Sequence, residues 1–146
     1  MSLNLDLGKL NYCFQAKPLL VGGKAMEYYQ LRKAGADIDF VVCAQDYEHL
    51  AKLYPQNTKD LFGDLGVCIH PFEFWKGIVL FDYDFLSRGA VEQASLKIIS
   101  LEKLLFLKAL AISDTKYEAD VRLIVEKIHN IQYGKDATYA RSYFQP

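Results

Sequence analysis

Leu20-Val21-Gly22-Gly23-Lys24-Ala25, followed after one helix's length by Asp37-Ile38-Asp39-Phe40-Val41-Val42, is the stretch on which the fold turns. An apolar run that meets two glycines and resumes in amphipathic residues predicts a strand, a tight turn and a helix start. Glycines in such a turn let an anion come close to the main chain, where the unpaired N–H groups and the helix dipole favour negative charge. The second segment predicts a strand over 37–43. Alternation along it puts Asp37, Asp39, Val41 and Cys43 on one face and Ile38, Phe40 and Val42 on the other.

Two acids projecting from one strand face repel unless a cation or a shared proton relieves them. Hard carboxylate oxygens suit Mg²⁺, which is usually held by one or two carboxylates together with substrate phosphates. A phosphate-accepting turn beside an acid pair is the minimum equipment for metal-assisted nucleotidyl transfer. Gly22-Gly23 followed by Asp37-x-Asp39 resembles the glycine turn and acid pair of the polymerase-beta-like nucleotidyltransferase superfamily, particularly its small prokaryotic members.

Composition bounds the rest. With 146 residues, 51% of them hydrophobic, and a formal charge of −1, one soluble domain with a sizeable core is expected. No signal-peptide pattern and no bilayer-length apolar run is present, so a cytoplasmic location is expected. Cys13, Cys43 and Cys68 are odd in number and widely spaced, which argues for reduced thiols over a disulfide framework or a zinc site. The lack of a dense basic cluster argues against extended DNA or RNA as a partner, while a short RNA end stays open.

In chain order, residues 3–15 predict a short helix with Leu3, Leu5, Leu10 and Phe14 inward, and Lys17 to Val21 the first core strand. The helix from Gly23 is expected to reach about Lys33 and to end on a left-handed Gly35. A second helix is expected from Asp46 to Tyr54, stopped by Pro55, with Tyr47, Leu50, Ala51 and Tyr54 on its stripe. Residues 56–64 read as a loop, Gly66 to Phe74 as extended, and Gly77 to Leu86 and Val91 to Ile99 as two more strands. Ser100 then caps a nearly all-apolar helix to about Ile112. A last helix spans Lys116 to Asn130, with Tyr117, Val121, Ile124 and Ile128 on one stripe. The whole predicts a single α/β domain with a core over about 17–99, helices over 100–130 and an unassigned tail over 131–146.

Leu96 to Leu105, then Lys108, Lys116 and Asp120, is similar to the strand, serine cap and two-helix ending of abortive-infection-type toxins and related minimal nucleotidyltransferases. The resemblance implies a small mixed sheet flanked by helices, with a lysine and an acid of the last two helices near the active site. It also implies a third carboxylate on a later strand. Glu73 in Phe72-Glu73-Phe74 is the best match, Asp82 and Asp84 are rivals, and His70 stands nearby. Tyr117 occupies a position where the family often has an acid. Independently, helical spacing puts Lys108 on the Leu101, Leu104, Leu105, Ile112 stripe, where it would snorkel, pair with Asp120 or reach a phosphate.

Each feature also has a plainer reading: a glycine pair is often just a turn, and an Asp-x-Asp start often caps one. Taken together they predict a Mg²⁺-dependent transfer of a nucleoside monophosphate from a nucleoside triphosphate to a hydroxyl of a protein, an RNA end or a small molecule. Asp37, Asp39 and Glu73 would be the metal-holding and catalytic acids, and Gly22, Gly23, Lys24 and Lys108 the nucleotide-binding residues. The competing expectations are an inactive member of the same fold serving as a toxin–antitoxin-like docking module, and a regulator that binds a nucleotide without transfer.

Overall fold

Short alternating apolar segments, each too small to stand alone, are joined here into a mixed sheet. The computed structural model describes residues 5–134, which fall into two compact units meeting in sequence at Ser100 and Leu101. The N-terminal unit contains β1 (Leu19–Leu20), β2 (Ile38–Val41), β3 (Thr58–Leu61), β4 (Asp64–Ile69), β5 (Phe72–Trp75), the separate pair β6 (Gly77–Ile78) and β7 (Phe81–Asp82), and then β8 (Val91–Glu92) and β9 (Lys97–Ile98). In space the large sheet runs β3-β4-β5-β2-β1-β9-β8. The β2–β5 and β1–β9 pairs are parallel and the others antiparallel.

Strand alternation makes one side of the sheet a core. Ile38, Phe40, Val67, Phe72 and Phe74 are buried, and the rings of Phe40 and Phe74 stack with centroids 5.6 Å apart and an interplanar angle of 12°. Phe72 and Phe14 extend the cluster, each within 6 Å of the Phe74 ring. Each such side chain contributes about 1.5–3 kcal/mol by leaving water. Polar residues of β2 and β5 are thereby turned to the opposite side.

Helices connect the strands. α1 (Gly22–Tyr28) follows β1 directly, α2 (Ala44–Leu53) follows β2, and α3 (Tyr83–Leu86) is a single turn capped by the Asp82 carboxylate, which accepts from the Phe85 N–H. α1 is shorter than its sequence predicts and does not end on Gly35. The chain turns left-handed at Gln30, with φ 61°. There the Gln30 N–H donates to the Glu27 carbonyl and the Leu31 N–H to the Met26 carbonyl, the paired bonds of a Schellman ending.

Other expectations are corrected in the same way. Residues 7–10 form one 3-10 turn, ended by left-handed Asn11, in place of a helix over 3–15; Leu3 lies outside the described residues. The expected loop at 56–64 contains β3, which is exposed at every position and so carries no apolar period to reveal it. The aromatic stretch 77–86 is a two-stranded ribbon plus a helical turn, because Asp82 offers its side chain as a cap. Residues 91–99 form two short strands joined by a turn in which Gln93 donates to the Leu96 carbonyl.

The C-terminal unit is a helical hairpin of α4 (Leu101–Leu110) and α5 (Thr115–Gln132). Asp114 caps α5 by accepting from the Lys116 N–H. The buried positions of α5 are Asp120, Ile124 and Ile131, so a carboxylate stands in the middle of its inward stripe. Among the described residues no helix is long and apolar enough to cross a membrane. The expected tail lies outside the described residues from 135 onward.

Asp46 ties the N-terminal segment to α2. It is fully buried and accepts from the Tyr12 hydroxyl at 2.7 Å, the Gln15 N–H at 3.0 Å, the Ala16 N–H at 3.1 Å and the Cys43 thiol at 3.2 Å. Burial opposes the charge, but the main-chain donors of Gln15 and Ala16 and the Tyr12 hydroxyl outweigh it and hold the carboxyl below its ordinary range. Such an acid contributes stability that is full above the unfolded carboxylate value and is lost as pH falls through the lower, native one. Asp46→Ala is expected to cost about 2–4 kcal/mol in urea denaturation near neutral pH. The deficit should shrink toward acid pH, and a loss that does not change with pH would contradict a charged anchor.

Candidate functional site

The side of the sheet opposite the phenylalanines brings two of the expected acids together. Register places Asp39 directly across from Glu73 on the parallel neighbours β2 and β5, and paired positions share a face. The two carboxyls are close enough that each opposes the other's charge. Asp37 lies one residue before β2, exposed, and its charge is felt at Asp39. Burial first, then the Glu73 charge and hydrogen bond, push the Asp39 carboxyl up to about 6. A hydrogen bond from Trp75 acts against that rise.

Gly22 stands against the same carboxylate. The Val21 N–H donates to the Asp39 carbonyl at 2.9 Å, which pins the turn to β2. Gly22 has φ +65°, and a Cβ there would lie 2.8 Å from Asp39 Oδ2. Glycine is thus required twice, by backbone conformation and by the acid beside it. Gly23 has room for a side chain, its nearest neighbours being Ala34 and Arg32 at 3.6 Å. Lys24 pairs with Glu27 at 3.4 Å, while Glu27 also accepts from the Ala34 N–H.

Two residues that sequence reasoning did not single out complete this face. Trp75 follows Glu73 by two positions and so shares its side of β5. Its ring lies across Gly66, where an added Cβ would come within 2.6 Å of the indole. Lys59 reaches Glu73 from β3 and forms an ion pair at 3.2 Å. Period-2 parity from Glu73 would have found Trp75. Lys59 had no such signal, because β3 is legible only through its pairing with β4.

Three of the remaining candidates take other places in the N-terminal unit. Asp82 caps α3, Asp84 is exposed in the first turn of that helix, and His70 is exposed at the β4–β5 turn. Lys108 belongs to the C-terminal unit, where Nζ lies 2.9 Å from Asp120 Oδ2 and 4.7 Å from the centroid of the Tyr117 ring. Of the three roles open to it in sequence, the structure displays the pairing with Asp120. Tyr117, in place of the acid seen in the family resembled, supplies a ring face to that ammonium.

Chemically, Asp39 and Glu73 form a compact pair of hard oxygen donors. Among the described residues no group of three His, Cys, Asp or Glu side chains is drawn together tightly enough to hold a metal. A two-carboxylate set still fits Mg²⁺, whose other ligands are commonly water and substrate phosphates. A separate groove lined by Asp64, Val79, Leu80 and Asp82 includes neither Gly22 nor the Asp39–Glu73 pair. No family model, curated protein or solved structure matches this chain.

Native Asp39 keeps its proton to about pH 6, whereas the unfolded chain releases it near 3.8. Its contribution to stability is therefore full below the lower value and is lost between the two as pH rises. Asp39→Asn is expected to remove that loss and raise stability at about pH 7.5 by on the order of 1–3 kcal/mol. Urea denaturation at pH 4 and 7.5 measures it, and parallel pH profiles for the two proteins would dismiss the strained pair. Trp75 is the only tryptophan, so its fluorescence should follow the same titration and lose it in Asp39→Asn. Gly22→Ala should lower stability by about 1–3 kcal/mol, through its positive φ and its contact with Asp39.

Proposed function

We propose that the chain is a Mg²⁺-dependent nucleotidyltransferase that moves a nucleoside monophosphate from a nucleoside triphosphate to an acceptor hydroxyl. The observation that carries the reading is the contact of Asp39 with Glu73 across adjacent parallel strands, beside the Gly22 turn. Two half-buried acids held against each other at a cost in stability point to a role for their combined charge. The acceptor class, whether protein, RNA end or small molecule, is left to experiment.

Asp39 and Glu73, with Asp37 beside them, would hold the ion, which when bound would supply positive charge to the triphosphate and to the attacking oxygen. Glu73 takes the proton of the acceptor hydroxyl. The hydroxyl oxygen forms a bond to the α-phosphorus as the bridging α–β P–O bond breaks, and pyrophosphate leaves. Gly22 and Gly23 allow close approach of phosphate oxygens to the main chain, and Lys24 stands in the first turn of α1 with a flexible ammonium. Lys108 is engaged by Asp120, so it is not assigned a part in this scheme.

One observation favours a second reading. The Lys59 ion pair gives Glu73 a protein partner, as suits a binding module of the same fold that carries out no transfer. Calorimetry of ATP and CTP with Mg²⁺ is expected to show binding that weakens by about 100-fold or more in Asp37→Ala/Asp39→Ala. Equal binding by both proteins would remove the site. Labelled nucleotides with candidate acceptors then separate the readings, since transfer releases pyrophosphate and simple binding does not.

A further inference from the structure

Lys59 sits on the same sheet face as the acid pair, although one strand, β4, lies between it and Glu73. Register pairs Lys59 with Gly66 and Gly66 with Trp75, while Cys68 lies opposite Glu73 and Glu73 opposite Asp39. Since paired residues share a face and every second residue returns to it, Lys59, Gly66, Cys68, Trp75, Glu73 and Asp39 all project from one side. Neighbouring strands are about 4.8 Å apart. The long lysine stem spans β4, and Nζ ends 3.2 Å from Glu73 Oε1.

Stability does not account for this reach. The Lys59 side chain is 43% exposed, and pairs of that kind contribute little to folding. Its effect is on local charge. Asp39 and Glu73 set two carboxylates side by side, and the Lys59 ammonium pairs with Glu73. A divalent cation directed at Glu73 must compete with it. Because β3 is an edge strand with exposed side chains, the ammonium can swing away on its four-carbon stem without disturbing the core.

We propose that Lys59 is a triphosphate-binding residue of this site, whose ammonium serves as a tethered counter-ion on Glu73 and transfers to the β- or γ-phosphate as the nucleotide complex enters. The proposal rests on the nucleotidyltransferase reading and deepens it. It makes one cation oppose a second when the metal arrives alone and assist when the metal arrives with a triphosphate. A lysine that merely braced β3 against β5 would alter neither affinity.

The test measures two affinities in the full chain, Mn²⁺ alone and ATP with saturating Mg²⁺, by calorimetry and Trp75 fluorescence. Lys59→Met keeps the stem and removes the charge, Lys59→Gln provides a polar control, and Lys59→Arg restores the cation. Unchanged melting temperatures in these exposed-site variants confirm that all are folded. Lys59→Met and Lys59→Gln are expected to bind Mn²⁺ about 3- to 10-fold more tightly and ATP about 10- to 100-fold more weakly. Lys59→Arg should recover most of the ATP affinity, and AMP, which lacks the outer phosphates, should bind all four proteins alike. If the unaltered protein binds ATP and neither affinity moves in Lys59→Met, the role of Lys59 is overturned while the transferase reading stands. If the unaltered protein binds neither Mn²⁺ nor ATP, the transferase reading falls and the role of Lys59 with it.

Discussion

Carboxylates that touch within a half-buried strand face are unstable neighbours, and the N-terminal unit is arranged around holding two of them in place. Asp39 and Glu73 are fixed opposite each other by the parallel β2–β5 register. A slip of β2 by one residue would send Asp39 into the phenylalanine layer and bring Phe40 out, away from Phe72 and Phe74. The cost of that slip is large, because the three rings pack within 6.5 Å of one another. Apolar burial on one side of the sheet thus sets the position of charge on the other.

Around the pair, each contact changes the charge balance in a definite direction. Burial and Glu73 push the Asp39 proton affinity up, and the Trp75 hydrogen bond brings it part of the way back. Gly22 leaves room for Asp39 Oδ2 where any side chain would meet it, and Gly66 does the same for the Trp75 ring. Two glycines far apart in sequence therefore serve one face. Asp46 shows the opposite solution to burying an acid: four donors surround it, and its carboxyl is held low. The comparison separates an acid kept for anchoring from one whose charge is opposed by burial and a neighbouring acid.

Much of this was legible in the chain, for reasons that differ by element. The β2 alternation and the glycine turn are local, so Asp39 and Gly22 could be named from their own neighbourhoods. α2 and α5 were also legible, since Tyr47, Leu50 and Ile124 mark inward stripes. Boundaries failed where a side chain or a left-handed residue intervened. Gln30 ended α1 early with a conformation usual for glycine, and Asp82 turned an aromatic strand candidate into a cap. β3 carried no pattern, because a fully exposed edge strand has no buried face to impose one.

The sequence by itself determined that the chain would be mixed α/β and that an acid pair would follow a glycine turn. Those properties follow from nearest-neighbour alternation and from backbone freedom, which are written residue by residue. Only the tertiary structure decided that Glu73, and not Asp82 or Asp84, meets Asp39. It also decided that Lys59 and Trp75 join them and that Lys108 is taken by Asp120. Each of these depends on strand order or helix pairing, and the free energy that selects a partner across the fold comes from surfaces that no local window contains.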